Sequence, residues 1–184
     1  MQVRETGIDG LVEIIPTVYQ DDRGWFYEFY KDDVFKKNGI HYTFLQENQS
    51  FSRRGVVRGL HMQLAPYAQA KLVSVIKGRV VDVVADLRAG SRTFGQVYYC
   101  ELDDHRHNML MVPEGFAHGF AAIEDSIFHY KCTNLYHKGS ETGVVFNDPD
   151  LKVQWPVKDP ILSEKDRILP TLDDLLRKSV ISRH

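Results

Sequence analysis

The chain has 184 residues, 43% of them apolar and 26% charged, a length and balance that suit a soluble globular domain with one sizeable core. Its 23 Lys and Arg against 25 Asp and Glu leave a formal net charge of −2, which offers neither a basic field for nucleic acid nor an acidic tail. Two cysteines, Cys100 and Cys132, make no disulfide framework and fit a reducing compartment.

At the N-terminus, MQVRETGIDGLVEIIP carries Glu5 and Asp9 and lacks the apolar stretch of a signal peptide. No run approaches the roughly 20 apolar residues a membrane helix needs, so the expected address is the cytoplasm. KDDVFKKNG (31–39) reads as a short helix ended by a glycine. LVSVIKGRVVDVVADLR (72–88) is rich in Val and Ile, and Lys77-Gly78 reads there as a tight hairpin turn between two strands. GQVYYCEL (95–102), NMLMVPEG (108–115) and GFAAIEDSIFHYKCT (119–133) continue the strand pattern, with a second hairpin turn expected at Glu124-Asp125-Ser126. DDHRHN, with His105 and His107, reads as a solvated loop. TLDDLLRKSVI (171–181) is a helical pattern with Thr171 as cap, Asp174 three residues on, and Leu172, Leu175, Leu176 and Ser179 on one face. It is expected to cover the outside of the barrel. There is no repeat, low-complexity segment or linker. The expectation is a single all-β domain over 1–184, an antiparallel jelly-roll barrel or sandwich with a few short peripheral helices.

RGLHMQ (58–63) is the stretch most suggestive of chemistry, because it sets Arg58, Gly59 and His61 together in a β-rich chain. A small barrel with a histidine-bearing mouth brings metal-binding cupins to mind, and PEGFAH (113–118) matches their P-x-G-x2-H motif through Pro113, Gly115 and His118. Their other motif fails here. Gln63 stands where the second histidine of H-x-H belongs, and Lys71 stands at the glutamate position. A divalent metal needs roughly three or four converging N, O or S ligands, and an ammonium beside two histidines favours an anion instead. The expectation is no metal.

Proton transfer suits the same residues better. A histidine is a base near neutral pH, and an ammonium stabilises a developing enolate. Tyr130 and Tyr136 of HYKCTNLY (129–136) are candidates for the opposing acid. Tyr130 and Lys131 must point to opposite faces of a strand, but which tyrosine meets the cavity stays open. The plain alternatives are a histidine with a satisfied hydrogen bond, surface arginines, a solvated lysine and half-buried strand tyrosines.

Eight segments in order carry a resemblance: DDRGWFYEFY (21–30), FLQENQSFS (44–52), GVVRGLHMQ (55–63), QAKLVSVIKGRVVDVVADLR (69–88), VPEGFAHGF (112–120), YKCTNLY (130–136), FNDPDLKVQWP (146–156) and LSEKD (162–166). Together they resemble the dTDP-4-dehydrorhamnose 3,5-epimerases, metal-free cupin-type enzymes, over roughly residues 2 to 180. The resemblance implies a jelly roll that dimerises by exchanging N-terminal strands. It implies no cofactor, and a dTDP-4-dehydro-6-deoxy-D-glucose substrate inverted at C3 and C5, both alpha to the C4 ketone. By the same resemblance His61 is the base, Asp166 holds its other nitrogen, Tyr130 is the acid and Lys71 sits near the C4 oxygen. Tyr136 stacks on thymine and His118 lies at the sugar. Arg23 and Arg58 grip the diphosphate, as a planar guanidinium fork suits. Glu28, Gln46, Asn48, Glu141 and Lys165 contact the nucleotide, with Arg23 and Glu28 reaching from a partner chain. Asp82 is a weaker candidate, either supporting the Lys71 region or simply polar near a turn. Trp25, Phe26 and Tyr27 read as packing. Met62, Ala70 and Phe146 depart from the pattern without removing a catalytic group. Two alternatives stand beside it: inversion of a single carbon of a related dTDP-sugar by the same groups, and a sugar-nucleotide-binding module without chemistry, which could dispense with His61, Asp166 and Tyr130, all present here.

Overall fold

The computed structural model describes residues 1–183. Thirteen strands are described: β1 Gln2–Glu5, β2 Val12–Ile15, β3 Tyr19–Asp21, β4 Gly24–Phe26, β5 Gln46–Ser52, β6 Val57–Gln63, β7 Lys71–Lys77, β8 Arg79–Asp86, β9 Val97–Asp103, β10 Met109–Val112, β11 Phe116–Ala122, β12 Ser126–Cys132 and β13 Glu141–Gly143. Three short helices accompany them: α1 Asp32–Lys37, α2 Glu164–Arg167 and α3 Leu172–Arg177. Two antiparallel sheets face each other, one ordered β1-β2-β10-β7-β12-β5 and the other β13-β6-β11-β8-β9. The β3–β4 hairpin stands apart from both.

Alternation along the strands decides what lies between the sheets. Val73 and Val75 of β7, Val80 and Val84 of β8, Phe116 and Phe120 of β11 and Phe128 of β12 form the inner core. Residues of opposite parity pack outside. Leu72, Met109 and Met111 meet Phe35 of α1 on one outer face, while Leu60, Val83 and Ala85 meet Leu172 and Leu175 of α3 on the other. The C-terminal helix therefore covers the barrel as its pattern predicts, but it ends at Arg177 rather than reaching residue 181: Lys178 is its C-cap and Ser179 turns to a left-handed φ of +53°, so Ser179 does not extend the helical face. Thr171 and Asp174 form a reciprocal capping box there. In α1, Gly39 follows the C-cap with φ +81°, the left-handed conformation glycine adopts at little cost.

Three expectations are corrected here. Lys77-Gly78 and Glu124-Asp125-Ser126 are not hairpin turns. β7 and β8 belong to opposite sheets, as do β11 and β12, so both turns carry the chain across the sandwich. The two crossings pack on each other: a Cβ on Gly78 (φ +83°) would lie 2.3 Å from the Asp125 carbonyl oxygen. His107 is likewise not solvated. It is 6% exposed, with the Tyr27 ring stacked on it at 4.8 Å and Trp25 at 4.2 Å. His105 is exposed as expected. Trp25 packs on His107 and yet remains 57% exposed, and Phe26 is 63% exposed.

Candidate active site

The parity that builds the core also lines one end of the sandwich with polar groups. Lys71 continues the inner row of Val73 and Val75, Asp82 lies between Val80 and Val84, His118 lies between Phe116 and Phe120, and Tyr130 follows Phe128. His61 is presented by β6, whose alternate residues Leu60 and Met62 pack outward. The result is a cavity of about 250 Å³ lined by Ser50, Arg58, His61, Lys71, His118, Gly119, Phe120, Phe128, Tyr130 and Glu141. The stacked rings of Phe120 and Phe128, 4.2 Å apart, form its apolar wall. A second lobe shares His61, Lys71, Tyr130 and Glu141 and adds Gln46, Asn48, Gln63, Gln69 and Tyr136.

β6 and β11 approach closely where a bulge separates His118, paired with His61, from Phe120, paired with Arg58. A Cβ on Gly119 would sit 2.3 Å from the Arg58 carbonyl oxygen, so only glycine fits. The bulge sets the two histidines side by side on neighbouring strands. Each has its own carboxylate. His61 Nε2 lies 2.5 Å from Asp166 Oδ1, and His118 Nε2 lies 2.8 and 3.0 Å from the two oxygens of Asp82. Asp166 arrives on α2, whose cap Ser163 accepts a hydrogen bond from the Asp166 backbone N–H at 3.1 Å. Burial alone would raise the Asp166 carboxyl. The hydrogen bond and charge of His61, helped by Ser163 and Lys165, outweigh it and hold the group below its ordinary 3.8. With Nε2 turned to the carboxylate, Nδ1 is the His61 nitrogen left for chemistry.

Tyr130 faces His61 from the opposing sheet, while its neighbour Lys131 points outward and its Nζ donates to Glu47 at 2.7 Å. Burial pushes the Tyr130 phenol above its ordinary 10.0, with Cys132 and Glu141 adding and Arg58 opposing. It is therefore a protonated donor at neutral pH. Burial also lowers the Lys71 ammonium from 10.5, against the pull of Cys132, Asp82 and Glu141. Arg58 sits at the rim, its Nε donating to Ser52 Oγ at 2.9 Å and its Nη2 to the Phe51 carbonyl at 3.0 Å. In the second lobe the Tyr136 hydroxyl donates to Glu141 at 2.8 Å, and Lys165 pairs with the other oxygen of that carboxylate. Gln46 donates to Asn48 at 3.0 Å.

Among the sequence-predicted residues, His61, Lys71, Arg58, His118, Tyr130 and Glu141 line the main cavity, and Gln46, Asn48 and Tyr136 line the second lobe. Asp166, Asp82 and Lys165 bond to lining residues. Asp82 does more than its sequence context suggested: it is the fully buried partner of His118. Arg23 and Glu28 line neither lobe. Arg23 is 90% exposed at the β3–β4 turn and forks onto Asp21, and Glu28 lies 3.5 Å from Lys31. Sequence reasoning missed Ser50, Gly119, Phe120 and Phe128. The inward parity of β5 and β12 is the signal that could have found Ser50 and Phe128. Among the described residues no group of three or more His, Cys, Asp or Glu is arranged to hold a metal. The histidine of the P-x-G-x2-H motif is instead committed to Asp82.

An imidazole–carboxylate pair set across a jelly-roll cavity from a protonated phenol suits proton transfer on opposite faces of a bound molecule, the chemistry of a cupin-type isomerase. Similarity to known proteins agrees. The sequence model of the dTDP-4-dehydrorhamnose 3,5-epimerases matches residues 5–174. A dTDP-4-dehydrorhamnose 3,5-epimerase of Methanothermobacter thermautotrophicus is 46% identical over 167 residues, 89% of this chain and 90% of that one. The crystal structure of the enzyme of that name from Elizabethkingia anophelis superposes with a TM-score of 0.89 at 46% identity, covering 95% of this chain and 97% of that one. A dTDP-6-deoxy-D-glucose-3,5-epimerase from Legionella pneumophila, in complex with dTDP-4-keto-L-rhamnose, superposes with a TM-score of 0.93 at 40% identity, covering 100% of this chain and 98% of that one. The chain belongs to the dTDP-4-dehydrorhamnose 3,5-epimerase family, the epimerases of dTDP-rhamnose biosynthesis.

Proposed function

We propose that this protein inverts C3 and C5 of dTDP-4-dehydro-6-deoxy-D-glucose, giving dTDP-4-dehydro-L-rhamnose. The observation that carries the reading is the pair of opposed groups: His61, backed by Asp166, and Tyr130 line one cavity from facing sheets. Both inverted carbons are alpha to the C4 ketone, so each C–H bond is acidified by delocalisation of the resulting carbanion onto the carbonyl oxygen. His61 removes the proton on one face through Nδ1, while Asp166 stabilises the imidazolium that forms. The Lys71 ammonium stabilises the enolate oxygen, and Tyr130 delivers a proton to the opposite face. The imidazolium then gives its proton to solvent and the phenolate takes one up, and repeating the exchange at the second carbon completes the product. The ketone itself supplies the electron sink, so the reaction calls for no cofactor.

His118, held by Asp82, contacts the sugar. Arg58 binds the diphosphate. Tyr136 stacks on the thymine ring, with Gln46, Asn48, Glu141 and Lys165 around the nucleoside. Arg23 and Glu28, which lie away from the cavity of their own chain, serve the site of a second copy in a homodimer that exchanges N-terminal strands. The exposed rings of Tyr19, Trp25, Phe26 and Phe51 supply apolar surface for that contact. The two free, buried cysteines are consistent with a cytoplasmic address.

The test is NMR of the purified protein with dTDP-4-dehydro-6-deoxy-D-glucose in deuterated water. Deuterium entering both C3 and C5 is the expected result. Exchange at one carbon would make it a single-site epimerase, and tight binding without exchange would make it a binding protein.

A further inference from the structure

Gln63 is the residue that breaks the H-x-H metal pattern, and it is 6% exposed. Its amide spans the gap between two loops. Nε2 donates to the Tyr67 carbonyl at 2.6 Å and to the Leu135 carbonyl at 3.2 Å, while Oε1 accepts from the His137 N–H at 2.7 Å. The Leu135 carbonyl and the His137 N–H belong to the two peptide planes on either side of Tyr136. A third bond, from the Tyr136 N–H to Gln46 Oε1 at 2.7 Å, holds the first of these planes again. Peptide groups are rigid, so pinning both planes fixes φ and ψ of the residue between them. Tyr136 itself is 53% exposed, with its ring over the second lobe. A second tie joins the same loops: the Tyr67 and His137 rings stack with centroids 3.9 Å apart and planes 7° from parallel.

We infer that Gln63 and the Tyr67–His137 stack are positioning residues for the nucleobase. They preorganise the Tyr136 backbone so that its ring meets a flat aromatic base without first being ordered. The inference rests on the reading that Tyr136 stacks on the base. It also explains what Gln63 does in place of a histidine, since the position that would hold a metal ligand braces a recognition loop.

The experiment is calorimetric binding of thymidine diphosphate and of inorganic pyrophosphate to the full chain and to Tyr136→Ala, Gln63→Met and their combination. Tyr136→Ala is expected to weaken thymidine diphosphate by about 5- to 150-fold, the range of one base stack. Gln63→Met is expected to lose a share of that, leave pyrophosphate affinity unchanged, and add nothing in the Tyr136→Ala background. Unchanged affinity in Tyr136→Ala would overturn the stacking reading itself. A loss in Tyr136→Ala with none in Gln63→Met, or equal losses for both ligands in Gln63→Met, would overturn the brace alone. Should Gln63→Met not fold, the surface double variant Tyr67→Ala/His137→Ala decides. Its KM should rise about two- to tenfold, the worth of an aromatic pair, with kcat held within about twofold. An unchanged KM there would overturn the inference.

Discussion

Replacing Asp166 by asparagine removes a charge and keeps a shape, so it isolates what the carboxylate does for His61. The two groups meet at 2.5 Å, with the histidine side chain 27% exposed and the aspartate side chain 5% exposed. When His61 takes a proton it becomes a cation beside this anion. Charges about 4 Å apart at an effective dielectric near 20 interact by about 4 kcal/mol. Solvent reaching the partly exposed imidazole screens roughly half of that, leaving about 2 kcal/mol. If His61 takes its proton in the reaction, as proposed, the loss falls on the barrier and slows turnover about thirtyfold. The assay is the rate of deuterium incorporation at C3 and C5 at saturating substrate, with thermal melting at pH 7 to establish that the variant is folded. An Asp166→Asn protein exchanging within about threefold of the wild type would refute the reasoning, since the charge would then contribute nothing to proton abstraction.

If its hydroxyl acts only in proton transfer, as proposed, Tyr130→Phe should lower exchange with inversion by about 10²- to 10⁴-fold while leaving thymidine diphosphate affinity unchanged; titration calorimetry beside the NMR assay checks both halves. Because burial raises the Tyr130 phenol above 10.0, an ultraviolet tyrosinate titration of the wild type against Tyr130→Phe should place the Tyr130 transition later than an ordinary tyrosine's, and a transition centred below pH 10 would contradict this. Stability should fail in acid through Asp86, whose carboxyl accepts from Arg88, Ser91 and Thr93 and is held at about 2 despite burial, against 3.8 ordinarily. A depressed folded value gives stability that is complete above the unfolded value and lost as pH falls through the folded one, here between about pH 4 and 2. It amounts to about 2 kcal/mol. Urea titrations across that window in the wild type and Asp86→Asn check it, since the variant should lack this component.

Features governed by local rules were readable in the chain. The Thr171–Asp174 box and the Leu172–Leu175 face define α3 because caps and helical periodicity act within a few residues. The strands around Val73, Val83 and Phe128 announced themselves through β-branched and aromatic content. Their pairing did not: apolar runs on both sides of Lys77-Gly78 look alike whether the chain turns back in its own sheet or crosses to the facing one. His107 was misjudged for a related reason, since the rings that cover it come from Trp25 and Tyr27, some eighty residues earlier. The polar site residues stood out through motif resemblance; Lys71, Asp82, His118 and Tyr130 share the inward parity of their strands, whereas Arg23 and Glu28 lie away from the cavity. Asp82 was undervalued because an acid in a Val-rich strand gives no local hint of its partner on β11. Gly119 carries no side chain to mark it as a cavity wall, whereas Phe120 shares the inward parity of His118 on β11.

The order of strands within the sheets also bears on how the protein comes to be folded. β2 closes on β10, and β5 closes on β12, so the first sheet cannot be completed until residues some eighty or more positions apart have met. Loops of that span cost entropy before any pairing rewards them, and such topologies fold slowly. The wall of the site begins at Gln46, and the carboxylate that orients His61 comes at Asp166, near the end of the chain as it is synthesised. Until α2 docks, the imidazole lacks its partner. On the proposed reading, a chain trimmed before α2 would keep His61 but lose the carboxylate it pairs with.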